Sequence, residues 1–144
     1  MNKSGRNWFS NFLPFEESLK YQGLFFVTPE HFYQAMKSKD FNDRHHVSLA
    51  RTPGQAKRRG RSIKLRSDWE QIKQDVMEYA LRYKFQASTW RKKLLATGND
   101  EIIEWNYWHD NIWGNCTCNK CQNIKGQNLL GKLLMKIRAE LNKS

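Results

Sequence analysis

Near its C-terminal end the chain sets Leu130, Leu133, Leu134, Ile137 and Leu141 three and four residues apart. That spacing gathers apolar side chains on one face of an α-helix and predicts a helix over about 128–141. The same period recurs at Trp69, Ile72, Val76, Tyr79, Ala80 and Tyr83, behind Ser67-Asp68-Trp69-Glu70, which reads as a capping-box start. Thr28-Pro29 and Thr52-Pro53-Gly54-Gln55 mark two further starts. In each, Thr is a good N-cap and Pro presets the backbone of the first helical residue. A shorter helix is predicted from Thr89 to Ala96, stopping at Gly98. Apolar residues on both sides of Gln22-Gly23 predict a hairpin over 18–27, and Glu101 to Trp105 a short strand. The expected fold is a mainly α single domain over residues 1–144, with a small β-hairpin near its N-terminus.

Composition narrows the partners. Lys+Arg 25 against Asp+Glu 14 leaves a net charge of +11, which calls for a nucleic acid, a nucleotide or another phosphate-bearing molecule. A 39% hydrophobic fraction, 13% aromatic residues overall, argues against a disordered chain. No apolar run is long enough to span a membrane, and Met1 to Arg6 lacks the apolar core of a secretory signal. All three cysteines fall between 116 and 121, which is no disulfide framework. A cytoplasmic, reduced protein is expected.

Within the helix that starts at Thr28, Glu30, Gln34 and Lys37 form a narrow stripe opposite Phe32, Ala35 and Met36. The stripe is either a solvated face or a place where a carboxylate and an amine converge on a bound molecule. An amine in such company can act as a nucleophile toward a carbonyl carbon. Residues Thr28 to His31, at a helix N-terminus, could sit near a phosphate. Arg51, Lys57, Arg58, Arg59, Arg61, Lys64 and Arg66 follow. They form either a solvated surface or a set of cations for phosphates.

Trp105 to Gly114 holds three Trp and one Tyr interleaved with Asn, His and Asp. It reads equally as a stacking wall beside an acid–base group and as an aromatic corner in which Asp110 caps a turn. Cys116, Cys118 and Cys121 have C-x-C-x₂-C spacing, and His109 could complete a tetrahedral zinc site. Free thiols and a redox pair with one spare are the competing readings.

Taken together, several blocks resemble the NADAR/YbiA-like family. They are Arg6 to Phe12 (RNWFSNF), Thr28 to Lys37 (TPEHFYQAMK), Thr52 to Arg61 and Asp68-Trp69-Glu70. Met77 to Phe85 (MEYALRYKF), Leu94 to Gly98 (LLATG), Asp110 to Gly114 (DNIWG) and Gly126 to Arg138 continue them in the family's order. The resemblance implies a YbiA-like orthogonal helical domain and an N-glycosidase acting on ribose-linked, phosphate-bearing substrates. Two substrate classes go with it: ADP-ribose carried on guanine in DNA, RNA or nucleotides, and early riboflavin-pathway intermediates. Lys37 maps to the lysine proposed to form a Schiff base with the anomeric carbon, and Glu30 and Asp110 to its acidic partners. Arg6, Asn11, His31, Gln34, Trp69, Trp113, Gly114 and Asn128 are the expected substrate-binding residues. No cofactor is needed for this chemistry, and any zinc is structural. The chain departs from the pattern at about 115–125, where a cysteine-containing insertion lies beside the presumed pocket and bears on substrate choice. The rivals are a non-catalytic module that binds ADP-ribose or nucleic acid, and a zinc-dependent nucleic-acid binder.

Overall fold

The computed structural model describes residues 7–143. These form two compact units: Ser10–Ala87, and the residues up to Phe9 together with those from Ser88 onward.

The Ser10–Ala87 unit opens with β1 (Leu19–Tyr21) and β2 (Leu24–Phe26), an antiparallel pair with Leu19 opposite Phe26. Gln22 (φ 51°) and Gly23 (φ 79°) make the turn between them, as a two-residue hairpin loop requires. The alternation along the strands drives Leu19, Leu24 and Phe26 inward, each worth about 1.5–3 kcal/mol on burial. Then come α1 (Pro29–Ala35), α2 (Phe41–Ser48), α3 (Pro53–Gly60) and α4 (Trp69–Lys84). Both predicted Thr caps form: Thr28 Oγ1 accepts from His31 N at 3.1 Å, and Thr52 Oγ1 from Gln55 N at 3.0 Å. Gln55 Oε1 reaches back to Arg51 N at 2.6 Å.

The start of α4 differs from the predicted capping box. Its cap is Asp68, which makes no side-chain cap bond and instead pairs with Arg66 Nε at 2.6 Å. No apolar period announces α2, whose buried residues are Val47 and Arg44. Arg44 is a buried cation, satisfied by Ser38 O at 2.8 Å and Gln22 Oε1 at 2.7 Å.

In the other unit α5 (Ser88–Leu95) and α6 (Leu129–Asn142) pack through Leu94, Leu130, Leu133, Leu134 and Ile137. Buried Arg138 ties them to the intervening chain, donating to Thr97 Oγ1 and Asp100 O, both at 2.8 Å. The strand predicted over 101–105 reduces to β3 (Trp105–Asn106), which pairs in parallel with β4 (Asn115–Cys116). The chain thus has six helices and one small antiparallel hairpin among the described residues, as the helical reading expected. No described helix is long and apolar enough to cross a membrane.

Candidate active site

Every residue of α1 is buried, including its polar stripe. Glu30 is 8% and Gln34 3% exposed, which excludes the solvated-face reading. The helix start offers no surface to a phosphate either, because Thr28, Pro29 and His31 are buried with it. His31 Nε2 faces the Ala50 carbonyl at 2.9 Å and so donates to it. Nδ1 then accepts from Thr28 Oγ1 at 2.7 Å. This is a neutral imidazole with both nitrogens engaged inside the protein, and burial lowers its pKa against the opposing bond to Ala50. His31 therefore anchors α1 to the segment after α2, and keeps no ring nitrogen for substrate.

Glu30 is held from two sides. Its backbone N–H donates to Asn11 O at 3.1 Å, and Gln34 Nε2 donates to its Oε1 at 2.7 Å. Gln34 in turn lies against Gly60, where a Cβ would collide with its amide oxygen. Asn11, expected at the substrate, sends its amide to Met77 Sδ at 3.2 Å.

Lys37 follows α1 and is half-buried, its Nζ 5.9 Å from the centre of the Tyr33 ring. Desolvation lowers its pKa below the ordinary lysine value; Glu30 opposes this, and Lys57, Arg61 and Lys73 add to it. Trp69 packs edge-on against Tyr33 with ring centres 5.0 Å apart and is 5% exposed. It supports Tyr33 from within the core and offers no face for stacking a base. The Lys37 carbonyl accepts from Arg66 N at 2.7 Å. That bond brings Lys64–Ser67 beside Ser38–Asp40 around a cleft of about 590 Å³. Of the basic run, Lys57, Arg58, Arg61 and Lys64 are exposed, whereas Arg59 bonds to His46 O at 2.7 Å and Arg66 to Asp68.

In the other unit the aromatic segment is organised by a side chain that sequence reasoning missed. Buried Asn106 donates to Asp110 O at 2.7 Å and accepts from Trp108 N and Asp110 N at 3.2 and 3.1 Å. Asp110 Oδ1 accepts from Ile112 N at 3.0 Å and Trp113 N at 2.9 Å, which makes it a turn cap. Trp113 is half-buried, and Tyr107 and Trp108 are exposed. Gly114 is required by packing, since a Cβ would strike the Glu104 carbonyl. Asn128, at φ 52°, accepts from Glu104 N at 2.9 Å and donates to Ile102 O at 2.8 Å, so its amide is committed to holding the start of α6.

The cysteine segment closes on His109. Nδ1 lies 3.2 Å from Cys118 Sγ and 3.4 Å from Cys121 Sγ. The ligand atoms of His109, Cys116, Cys118 and Cys121 all lie within 4.8 Å of one another. All three thiols are free, so no disulfide competes for them. Arg6 lies outside the described residues.

A family model, that of the NADAR domain, matches residues 1–142. The chain belongs to the NADAR family. This NADAR chain is 39% identical over 136 residues to N-glycosidase YbiA of Shigella boydii, the match covering 92% of this chain and 80% of that one. It is 35% identical over 135 residues to riboflavin biosynthesis protein VVA0006 of Vibrio vulnificus, covering 92% of this chain and 35% of that protein. Its fold matches the NMR structure of Escherichia coli YbiA with a TM-score of 0.80 at 35% identity, over 99% of this chain and 83% of that one. The NADAR match runs through the residues of both units.

Proposed function

We propose that the chain is an N-glycosidase that hydrolyses the bond between ribose C1 and a nitrogen on a phosphate-bearing substrate. One observation carries the chemistry. A half-buried lysine, its pKa lowered by desolvation, lies within the electrostatic reach of a buried glutamate, in a relative of proteins named N-glycosidases. Hydrolysis of this bond needs a proton for the departing nitrogen and a group to take the sugar carbon. Glu30 supplies the proton as the carbon–nitrogen bond breaks. The neutral Lys37 amine bonds to C1 as the C1–N bond breaks, and the ring C1–O bond then opens with one amine proton passing to the ring oxygen, giving a protonated imine. Water then adds to the imine carbon and frees both the sugar and the amine. A lowered lysine pKa increases the neutral fraction that such an attack requires. Asp110 is the second carboxylate, alongside its role as turn cap.

The substrate class follows from charge. Lys57 and Arg61 are exposed within electrostatic reach of Lys37, Arg58 is exposed beside Lys57 on α3, and Lys39 and Lys64 line the cleft next to Lys37. This surplus suits ADP-ribose on guanine, in a nucleotide or a nucleic acid, better than a single phosphate. The name of the Vibrio relative favours the second reading, an early riboflavin-pathway intermediate cut at the same kind of bond. In this proposal residues 1–144 act as one NADAR domain with an insertion at about 115–125. The Cys₃His cluster carries a structural zinc, apart from the chemistry, and the enzyme works in the cytoplasm, where free thiols stay reduced.

The test is chromatography after separate incubation with ADP-ribosylated DNA and with a riboflavin-pathway intermediate. Release of ADP-ribose from the DNA is expected. Stoichiometric binding of either substrate without cleavage would replace the enzyme by a binding module, and cleavage of the vitamin intermediate alone would select the second reading.

A further inference from the structure

The Cys₃His cluster lies at the edge of the β3–β4 bridge. His109 comes from the loop after β3, Cys116 from β4, and Cys118 precedes and Cys121 ends a short 3₁₀ turn, Asn119–Cys121. We propose that a single zinc ion, bound through His109 Nδ1 and the three sulfurs, locks the loop 106–114 onto the segment 115–121. The proposal rests on the zinc reading of the cluster and is independent of the N-glycosidase chemistry.

Three observations support it. The first is size. A tetrahedral zinc with sulfur at about 2.3 Å and nitrogen at about 2.0–2.1 Å has N–S edges of about 3.5 Å and S–S edges of about 3.8 Å. The His109 Nδ1 separations of 3.2 and 3.4 Å lie near the N–S edge, and all four donor atoms fall within 4.8 Å of one another, a group small enough to close on one ion. The second is the surroundings of the buried sulfur. Cys116 Sγ faces the backbone N–H groups of His109 at 3.3 Å and Cys118 at 3.5 Å, donors of the kind that stabilise a metal-bound thiolate. The third is backbone conformation. His109 has φ 70°, a left-handed geometry that a non-glycine residue adopts at a cost, at the residue whose Nδ1 faces the Cys118 and Cys121 sulfurs.

The donor set names the metal and its role. Three thiolates and an imidazole suit zinc, and four protein ligands leave no position for a reactive water. Binding displaces the thiol protons to solvent and leaves the zinc in its 2+ state, so nothing is oxidised or reduced. Inside the loop, Asn106 holds Trp108 and Asp110, and Asp110 holds Ile112 and Trp113. Fastening His109 therefore fixes the conformation of a segment that contains Asp110 and Trp113.

The experiment uses the full chain, purified without chelator and analysed for metal. It is then followed by amide hydrogen exchange before and after zinc removal. The expected results are one zinc per chain, the absorption of a tetrahedral S₃N centre after exchange for Co²⁺, and faster exchange across 106–121 on removal with α4 unchanged. Cys118→Ala should lose the metal and Cys118→His should retain it. Failure to take up zinc or cobalt would overturn both the zinc reading and the lock. Stoichiometric zinc whose removal leaves exchange over 106–114 unchanged would overturn the lock alone.

Discussion

Glu30 works against the burial of Lys37. Desolvation drives the lysine toward its neutral form, and the carboxylate on the same stripe pulls it back toward the ammonium. Replacing that carboxylate with an amide removes the opposing pull while desolvation and the neighbouring cations stay. In Glu30→Gln the Lys37 pKa should fall further, read by the pH dependence of its chemical modification followed by NMR. Turnover should drop roughly 10²- to 10⁴-fold through loss of the proton donor. The rising limb of any residual rate should move to lower pH. A Lys37 pKa that rises in this variant would refute the coupling.

Lys37 should also be the site of covalent capture. With substrate present, borohydride reduces an imine to a stable amine, so the parent protein should gain the mass of the reduced sugar on the Lys37 peptide. Lys37→Arg keeps the positive charge but lacks the amine. It should bind substrate, form no adduct and lose roughly 10²- to 10⁴-fold in rate. Adduct at full yield in Lys37→Arg would remove the imine from the mechanism.

His31 gives stability a predictable pH dependence. Its folded-state pKa is lowered by burial, so between that value and the unfolded value of about 6.5 the unfolded chain binds more protons. Stability is then full above about pH 6.5 and declines as pH falls through the window down to the folded pKa. Denaturant titrations at a series of pH values should show this decline. His31→Gln should be less stable at neutral pH and lack that part of the slope. An unchanged slope in the variant would assign the decline to other groups.

The reach of sequence reasoning followed the range of the forces involved. Local signals were legible: the Leu130–Ile137 period placed α6, and Thr28 and Thr52 announced the helices they cap. Helical geometry alone put Glu30, Gln34 and Lys37 on one stripe. That the stripe is buried depends on α1 packing against α3, which no local pattern encodes. α2 escaped because its inward face includes Arg44, a cation whose partners, Ser38 and Gln22, lie outside the helix. Trp69 and His31 enter the expected substrate-binding set through the family resemblance, and their burial depends on tertiary packing that no local pattern encodes. Asn106 drew no attention because its role requires the fold of the 105–116 bridge.

Gly60 should be intolerant of a methyl group. A Cβ there meets the Gln34 amide oxygen, and that amide positions Glu30. Gly60→Ala should cost about 1–3 kcal/mol in denaturant unfolding through overpacking. It should also lower turnover, with kcat affected more than KM if the displacement reaches the Glu30 carboxyl. Adding Gln34→Ala should recover stability by opening space, although the bond to Glu30 stays lost. A Gly60→Ala protein with parental stability and rate would show that Gln34 shifts without consequence for Glu30.

Asp110 carries two proposed roles that two substitutions separate. Its Oδ1 caps the turn leading to Trp113, and an asparagine keeps an oxygen able to accept the same bonds from Ile112 and Trp113. Asp110→Asn should therefore unfold within about 0.5 kcal/mol of the parent, whereas Asp110→Ala should lose about 0.5–2 kcal/mol through its unpaired turn. If the negative charge also takes part in the reaction, the asparagine protein falls roughly 10²- to 10⁴-fold in rate despite its intact fold. That is the expected outcome, with the alanine protein losing both rate and stability. A parental rate in Asp110→Asn would confine the residue to the turn and leave Glu30 as the proton donor without a second carboxylate.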